Sequence, residues 1–575
     1  MKILGINDGH NAAACLYEDG LLTAAIQEER LRRVKNWAGM PTEAIQTVLN
    51  LRGYSLNEID FVAMNGRYAA YPMTREQLME AYRRTNDVGA TVRRTLRRKF
   101  NQLVKWTPIE AAYHRRRQGR RLRDLLRMGV PWEKIIFVDH HTAHAAAAYY
   151  GWGDFEHDIL VLTCDGAGDG ICATVNVGRR GRLQRLHQIR QASSIGNIYA
   201  MVTFQMGMVP LEHEYKLMGL APYADPKGAE RLAREFAKLV RFNPKNPLVW
   251  ERTPGCPETY FSYRFFRDFL KEQRFDWIAG GLQKFTETML TEWVRNCVKE
   301  TGIQRLALGG GIFMNVKANK LIMELPEIQD LFVYPSCGDE ANAMGAAYVV
   351  HAEKAGPASM APLRDLYLGP RFTDDAVEAA LRAFRFSSPV KYERLPSIEL
   401  TVARLLAAGI VVARFKGREE FGARALGNRS ILANPANPQV VRVINEMIKS
   451  RDFWMPFAPS VLEERAPDYL LNPKKVEAPY MILSFDTTKR RSEIAAAIHP
   501  YDFTARPQIV SQASNPGYHA LIAEFERLTG IGGVLNTSFN LHGFPIVSRP
   551  EDALDVLERS GLTHLAIENW LVVKQ

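Results

Sequence analysis

No stretch of this sequence approaches the roughly 18 consecutive apolar residues of a membrane-spanning helix, and Asn7 and Asp8 break the N-terminus where a signal peptide needs its apolar region. The expectation is a cytoplasmic protein with no membrane partner. Cysteine is scarce too, six residues in 575 with no two spaced as CxxC. That argues against a zinc ribbon or a disulfide framework and for isolated buried thiols. Excess charge is absent from most of the chain. The net +11 comes from residues 83–127, where 15 Lys/Arg face only Asp87, Glu110 and Asp124. There Val92, Leu96, Phe100 and Leu103 recur at helical spacing, so a helical insertion with a solvated basic face, or one facing an anionic partner, is preferred over a nucleic-acid surface.

What is present is material for buried cores. With 46% hydrophobic residues, a chain of this length exceeds one core and predicts two or more domains. The first residues read strand, turn, strand, turn, strand: KILGI, an Asn-Asp-Gly-His-Asn turn, AAACLY, Glu-Asp-Gly, LLTAAI. The pattern returns at DILVLT, CDGAGDG and ICATVNV, which is an internal repeat. Two units opening on an acidic, Gly-containing turn resemble the duplicated α/β fold shared by actin, heat-shock chaperones and sugar kinases.

Residues 135–150, IIFVDHHTAHAAAAYY, read as a short buried strand running into an Ala-rich helix. His140 and His144, four apart, share one helical face, whereas His141 points elsewhere. Asp165 lies on the second repeat's turn, and Asp339 precedes a second small-residue helix, ANAMGAA. Two imidazoles and two carboxylates, all on strand-end turns, suit a first-row divalent ion such as iron(II), manganese or zinc. In LGGGIFMNV the strand runs into glycines, so Gly310 and Asn315 are candidate nucleotide contacts. The charged run QEERLRRVK, by contrast, reads as a solvated helix start.

The chain changes character near residues 362–373 and enters a second α/β segment around Ile398. In IVVARFKGREEFGARALGNRS, Arg418, Arg424 and Arg429 alternate with glycines and apolar residues. That arrangement suits phosphate binding. Lys449 and Arg451 beside MPFAPS, and Arg506 in TARPQ, add cations, while Asn536 and Asn540 in LNTSFN offer neutral donors and acceptors.

These motifs, with GHNAAACL, EYKLMGLAPY and GDEANAMGAA, resemble over nearly the whole chain the O-carbamoyltransferases of antibiotic, toxin and nodulation-factor biosynthesis. The resemblance implies a threonylcarbamoyl transferase-like domain over residues 1–370, with the basic insertion at about 71–130, and a C-terminal YrdC-like α/β domain over 390–575. It also implies residue roles. His140, His144, Asp165 and Asp339 would hold iron(II). Lys35 would contact the carbamoyl group or the acceptor, and His10 would act as base or positioning group. Arg418, Lys449, Arg451, Arg506 and Asn536 would hold carbamoyl phosphate and ATP, the latter with or without Mg. The implied reaction makes carbamoyl adenylate and passes its carbamoyl group to a hydroxyl of a small acceptor. Asn11 departs from the family's usual Asp. A tRNA threonylcarbamoyl transferase-like enzyme and a non-catalytic ATP-binding protein are the alternatives.

Overall fold

The computed structural model describes residues 1–67, 74–85, 118–119 and 121–575, so most of the basic insertion lies outside the described residues. Two compact α/β units emerge, one of Met1–Thr23 with Asn36–Leu363, the other of Ala24–Lys35 with Arg364–Gln575.

In the first unit, β1 (Lys2–Asn7), β2 (Ala13–Glu18) and β3 (Leu21–Gln27) form a meander, and β4 (Phe61–Asn65) and β5 (Ile135–Val138) extend it to the order β3-β2-β1-β4-β5. β1 pairs antiparallel with β2 and parallel with β4, which pairs parallel with β5. The second sheet uses β6 (Ile159–Gly168), β7 (Ile171–Arg179), β8 (Arg182–Arg190), β11 (Arg305–Gly309) and β12 (Asp330–Val333); a hairpin of β9 (Val240–Asn243) and β10 (Asn246–Arg252) stands apart. Its order, β8-β7-β6-β11-β12, repeats the first sheet strand for strand. Short turns suffice for the antiparallel meander, whereas each parallel strand needs a long crossover. The duplication visible in the motifs is therefore a duplication of topology.

The helices exchange partners between the halves. Helix α1 (His140–Trp152) follows β5 of the first sheet but packs on β6 and β11 of the second, whereas α2 (Asn342–Lys354) follows β12 and packs on β1, β2 and β4. The two helices also pack on each other. Their small residues are a geometric requirement. A Cβ at Gly345 would collide with the Ala143 carbonyl, and one at Gly5 with that of Ala343. This exchange brings residues from distant parts of the chain to one point.

The second unit is built on one mixed eight-stranded sheet. It comprises β13 (Val390–Arg394), β14 (Val412–Phe415), β15 (Arg429–Ala433), β16 (Ala458–Leu462), β19 (Gln508–Val510), β20 (Gly533–Ser538), β21 (His564–Ile567) and β22 (Trp570–Lys574), in the order β13-β22-β21-β14-β15-β20-β16-β19. The short strands β17 (Leu470–Leu471) and β18 (Asp486–Thr487) pair separately. Phe415, Ile431, Leu535, Leu565 and Val572 centre its core.

Residues 24–35 differ from the reading as a solvated helix start in the first domain. Glu28 and Arg30 are buried, and Arg30 pairs with Glu419 at 2.9 Å and donates to the Gly422 carbonyl. Composition signalled solvent because both signs are dense there, but the charges neutralise each other inside the second unit.

Candidate active site

At the meeting of α1, β6 and α2, four side chains converge. His140 Nε2 lies 3.2 Å from Asp165 Oδ2 and 3.4 Å from Asp339 Oδ1, and His144 Nε2 lies 3.9 and 3.4 Å from the same atoms. The two imidazole nitrogens are 3.2 Å apart. Bonds of about 2.1 Å to one ion place neighbouring ligands about 3.0 Å apart in an octahedron and about 3.4 Å apart in a tetrahedron. Four of the five separations, at 3.2–3.4 Å, fall within that range, and the His144–Asp165 separation, at 3.9 Å, exceeds it. Asp339 Oδ1 is buried with no hydrogen-bond partner, as expected of an oxygen shaped to meet a cation. The residues present therefore fit a divalent ion, and all four ligand atoms lie within 4.8 Å of one another.

Glycine makes the room. A Cβ at Gly168 would overlap the His140 ring, one at Gly310, where φ is +102°, would strike the Cys164 carbonyl, and one at Gly311 would sit 2.8 Å from Asp165 Oδ1. Gly311 N–H instead donates to that oxygen at 3.2 Å, orienting the carboxylate. β6 bulges between Cys164 and Gly168, which re-aims Asp165. Asp139 caps α1 and accepts from Arg185, while Asp169 accepts the His140 backbone N–H at 2.9 Å. Burial pushes the Asp165 carboxyl up, but the His140 hydrogen bond and the charge of His144 hold it well below the usual range. Burial pushes His140 down, yet Asp339 and Asp165 raise it to about 9. His141 donates to none of this. Burial drives it down to about 3, and its Nδ1 meets Thr163 Oγ1 at 2.8 Å.

The first turn stands beside this cluster. Asn11, at φ +53°, donates to Glu340 Oε2 at 3.3 Å, next to Asp339. His10 is partly exposed on the same turn, its carbonyl held by Asn7 Nδ2 at 2.8 Å. A residue that sequence reasoning missed fixes this turn. Buried Arg121 forks onto Asp8 Oδ2 at 2.8 Å and Oδ1 at 2.5 Å and donates to the Asn65 and Gly66 carbonyls. Arg121 lay within a uniformly basic tract, where nothing local distinguished it. Asn315 caps the helix Val316–Glu324 and exchanges hydrogen bonds with Gln283 at 2.9 and 3.0 Å.

In the second unit, cations crowd together. Lys449 is buried at the end of a π-helical turn, and its ammonium donates to Ser538 and, at 2.7 Å, to Asn540 Oδ1. Burial, then Arg451 and Lys35, depress it well below the ordinary lysine range. Arg506 is lowered by burial and by Arg424 and Arg451, and its Nη1 is buried with no hydrogen-bond partner. Lys449 thus feels the charges of Arg451 and Lys35, and Arg506 those of Arg424 and Arg451, so the five cations form a linked cluster suited to an anion. Lys35 reaches it because Arg33 donates to the Pro545 and Ile546 carbonyls at 3.2 and 2.9 Å, while Asn540 Nδ2 donates to the Phe544 carbonyl at 2.7 Å.

The other second-unit candidates are engaged by the protein's own groups. Arg429 is stacked 3.6 Å from the Phe415 centroid and donates to the Lys416, Gly417, Asn428 and Pro370 carbonyls. Those donors are directed at the loop itself, so its role in the structure is to fix the loop. Arg418 donates to the Leu368 and Gly369 carbonyls. Asn536 donates to the Ala425 carbonyl, Ser460 and Gln508.

Duplicated α/β halves around a histidine–aspartate quartet, with a separate cluster of arginines and lysines, define a two-unit enzyme. Which enzyme follows from its relatives. Residues 2–348 match the family described as Carbamoyltransferase N-terminus and residues 403–574 match Carbamoyltransferase C-terminus. The chain belongs to this family and is a carbamoyltransferase. It is 31% identical to the nodulation protein NolNO of Sinorhizobium fredii over 98% of this chain and 79% of that protein. It is 33% identical to the nodulation protein NolO of Bradyrhizobium diazoefficiens over 76% of this chain and 79% of that protein. Among solved structures, (R)-2-hydroxyglutaryl-CoA dehydratase component A of Acidaminococcus fermentans aligns at TM-score 0.31 and 14% identity over 62% of this chain and 99% of that one. A likeness at that level carries no argument. Among the described residues, no helix is long and apolar enough to cross a membrane.

Proposed function

We propose that the protein is an ATP-dependent O-carbamoyltransferase acting in the cytoplasm on a small hydroxyl-bearing natural product. In the C-terminal, YrdC-like unit, water cleaves carbamoyl phosphate to carbamate and phosphate, and a carbamate oxygen then attacks the α-phosphate of ATP to give carbamoyl adenylate with loss of pyrophosphate. The acceptor hydroxyl then attacks the carbamoyl carbon in the threonylcarbamoyl transferase-like unit, and AMP leaves. The observation that carries this reading is the cation cluster, in which Lys449 and Arg506 are each depressed by burial and by neighbouring cations and Arg506 Nη1 is buried with no hydrogen-bond partner.

Each residue has a task. Arg451 and Arg506, with Arg424 and Lys35, neutralise the phosphates that would otherwise repel a nucleophile, and their preorganisation avoids reorganisation during reaction. Lys449, held by Asn540, adds a fixed donor. His10 receives or positions the hydroxyl proton. His140, His144, Asp165 and Asp339 would hold iron(II), which when bound supplies Lewis-acid polarisation of a substrate oxygen.

Two variants test the division of labour. Arg506→Ala is expected to abolish pyrophosphate release from ATP and carbamoyl phosphate, while His144→Ala retains it and loses carbamoyl transfer to an alcohol. Retained release in the first variant, or loss of both reactions in a folded His144→Ala protein, overturns the assignment.

A further inference from the structure

Helix α2 begins three residues after Asp339, with Asn342. That spacing puts both side chains on one face of a helical turn. Asn342 is fully buried, and its amide nitrogen lies 3.0 Å from His144 Nε2, the atom through which His144 faces the cluster. Its other amide atom, Oδ1, is buried with no hydrogen-bond partner. The arrangement is reasonable only while no cation is bound. His144 Nε2 has one lone pair, and when that lone pair meets an ion an N–H aimed at the same point is repelled. Amide nitrogen and oxygen are nearly equivalent in shape, and their orientation is set by the surrounding hydrogen bonds. Turning the amide over removes the repulsion and brings the orphaned oxygen to the position the nitrogen held, 3.0 Å from His144 Nε2. That matches the separation of about 3.0 Å between neighbouring ligands in an octahedron with ordinary bond lengths.

We infer that Asn342 supplies a fifth protein ligand, a neutral amide oxygen, to a six-coordinate divalent ion, leaving one position for a substrate oxygen or water. The inference rests on the quartet taking a metal at all. It also assigns the chemistry of the site. Two nitrogens, two carboxylates and an amide oxygen favour a cation with octahedral preference over a tetrahedral structural zinc. The two negative charges of Asp165 and Asp339 already balance a divalent ion, so a neutral fifth ligand adds coordination without excess charge.

The test uses Co2+ as the probe on the full chain, with affinity measured by titration and coordination read from the visible absorption of the bound ion. Asn342→Leu is expected to weaken Co2+ binding about 10- to 100-fold and to change the spectrum. Asn342→Asp keeps an oxygen but cannot donate a hydrogen bond, and it is expected to bind at least as tightly as the parent. An amide that acts only through its N–H gives the opposite result, with Asn342→Asp weakened as much as Asn342→Leu, and that outcome overturns the inference. Equal affinity in all three proteins overturns it too. For protection against a variant that does not fold, parent protein labelled with 15N-asparagine is titrated with Co2+. A hyperfine-shifted side-chain NH2 that vanishes in Asn342→Leu supports ligation, and the absence of any such shift refutes it. A parent protein that takes up no Co2+ overturns the metal reading itself, a result distinct from tight binding that ignores Asn342.

Discussion

Glu214 offers a stability test whose sign is fixed by the structure. It opens the helix Glu214–Leu220, where the positive end of the dipole favours an anion, and its Oε1 accepts the Leu211 N–H at 2.6 Å. Burial outweighs both and raises the carboxyl from 4.5 to about 7, with Glu212 adding a smaller push. The folded protein therefore holds a proton here that the unfolded chain releases near pH 4.5. The resulting stabilisation is complete below that pH and is lost as pH rises towards 7. A rise of that size corresponds to about 3 kcal/mol, which partial exposure of the side chain reduces to about 2 kcal/mol. At about 2 °C per kcal/mol for a unit of this size, the effect is about 4 °C. Thermal midpoints of the parent and Glu214→Gln at pH 5 and pH 8 isolate it, since every other titrating group is common to both. The parent should lose about 4 °C more than the variant between the two pH values. Parallel curves, agreeing within about 1 °C, would refute the argument that burial dominates at this carboxyl.

Two further substitutions probe the surroundings of the quartet. Arg121→Met leaves the Asp8 carboxylate largely buried without its guanidinium and should destabilise the first unit by about 3–5 kcal/mol, seen as a lower urea midpoint and faster amide exchange at Gly9 and His10. Arg121→Lys should fall between, because an ammonium cannot bridge both oxygens, and an unchanged midpoint in Arg121→Met would show that the fork contributes nothing. Gly311→Ala puts a Cβ 2.8 Å from Asp165 Oδ1, so calorimetric affinity for Mn2+ should drop about tenfold or more; undiminished affinity would mean that Asp165 is not a ligand.

What the sequence disclosed was what is local. Strand–turn–strand repeats are written in alternating apolar residues and Asp-Gly turns, so the paired topology of the sheets was foreshadowed by CDGAGDG echoing the first turn. The quartet was legible because His140 and Asp339 stand where a strand gives way to a small-residue helix, His144 lies one turn further on, and Asp165 belongs to the acidic motif of the second repeat. What stayed hidden depends on long-range partners. Arg30 is buried only because Glu419, 389 residues away, meets it, and the composition around it spoke for solvent. Arg121 is indistinguishable by sequence from the arginines beside it until Asp8 appears across the fold. Arg429 shared its glycine-rich setting with Arg424, yet one stacks on Phe415 and grips carbonyls while the other joins the cation cluster. A motif specifies residue types, whereas their direction is decided by tertiary packing.

The assignment of Ala24–Lys35 to the second unit means the polypeptide visits that unit, departs for more than three hundred residues, and returns. A fragment starting at Arg364 would lack Arg30, leaving Glu419 without its guanidinium and the cation cluster short of Lys35. During synthesis, the twelve residues made early have no home until the last third of the chain exists. The second unit thus cannot be completed until residues made at both ends of that interval are present, and residues 364–575 are not by themselves the whole of it.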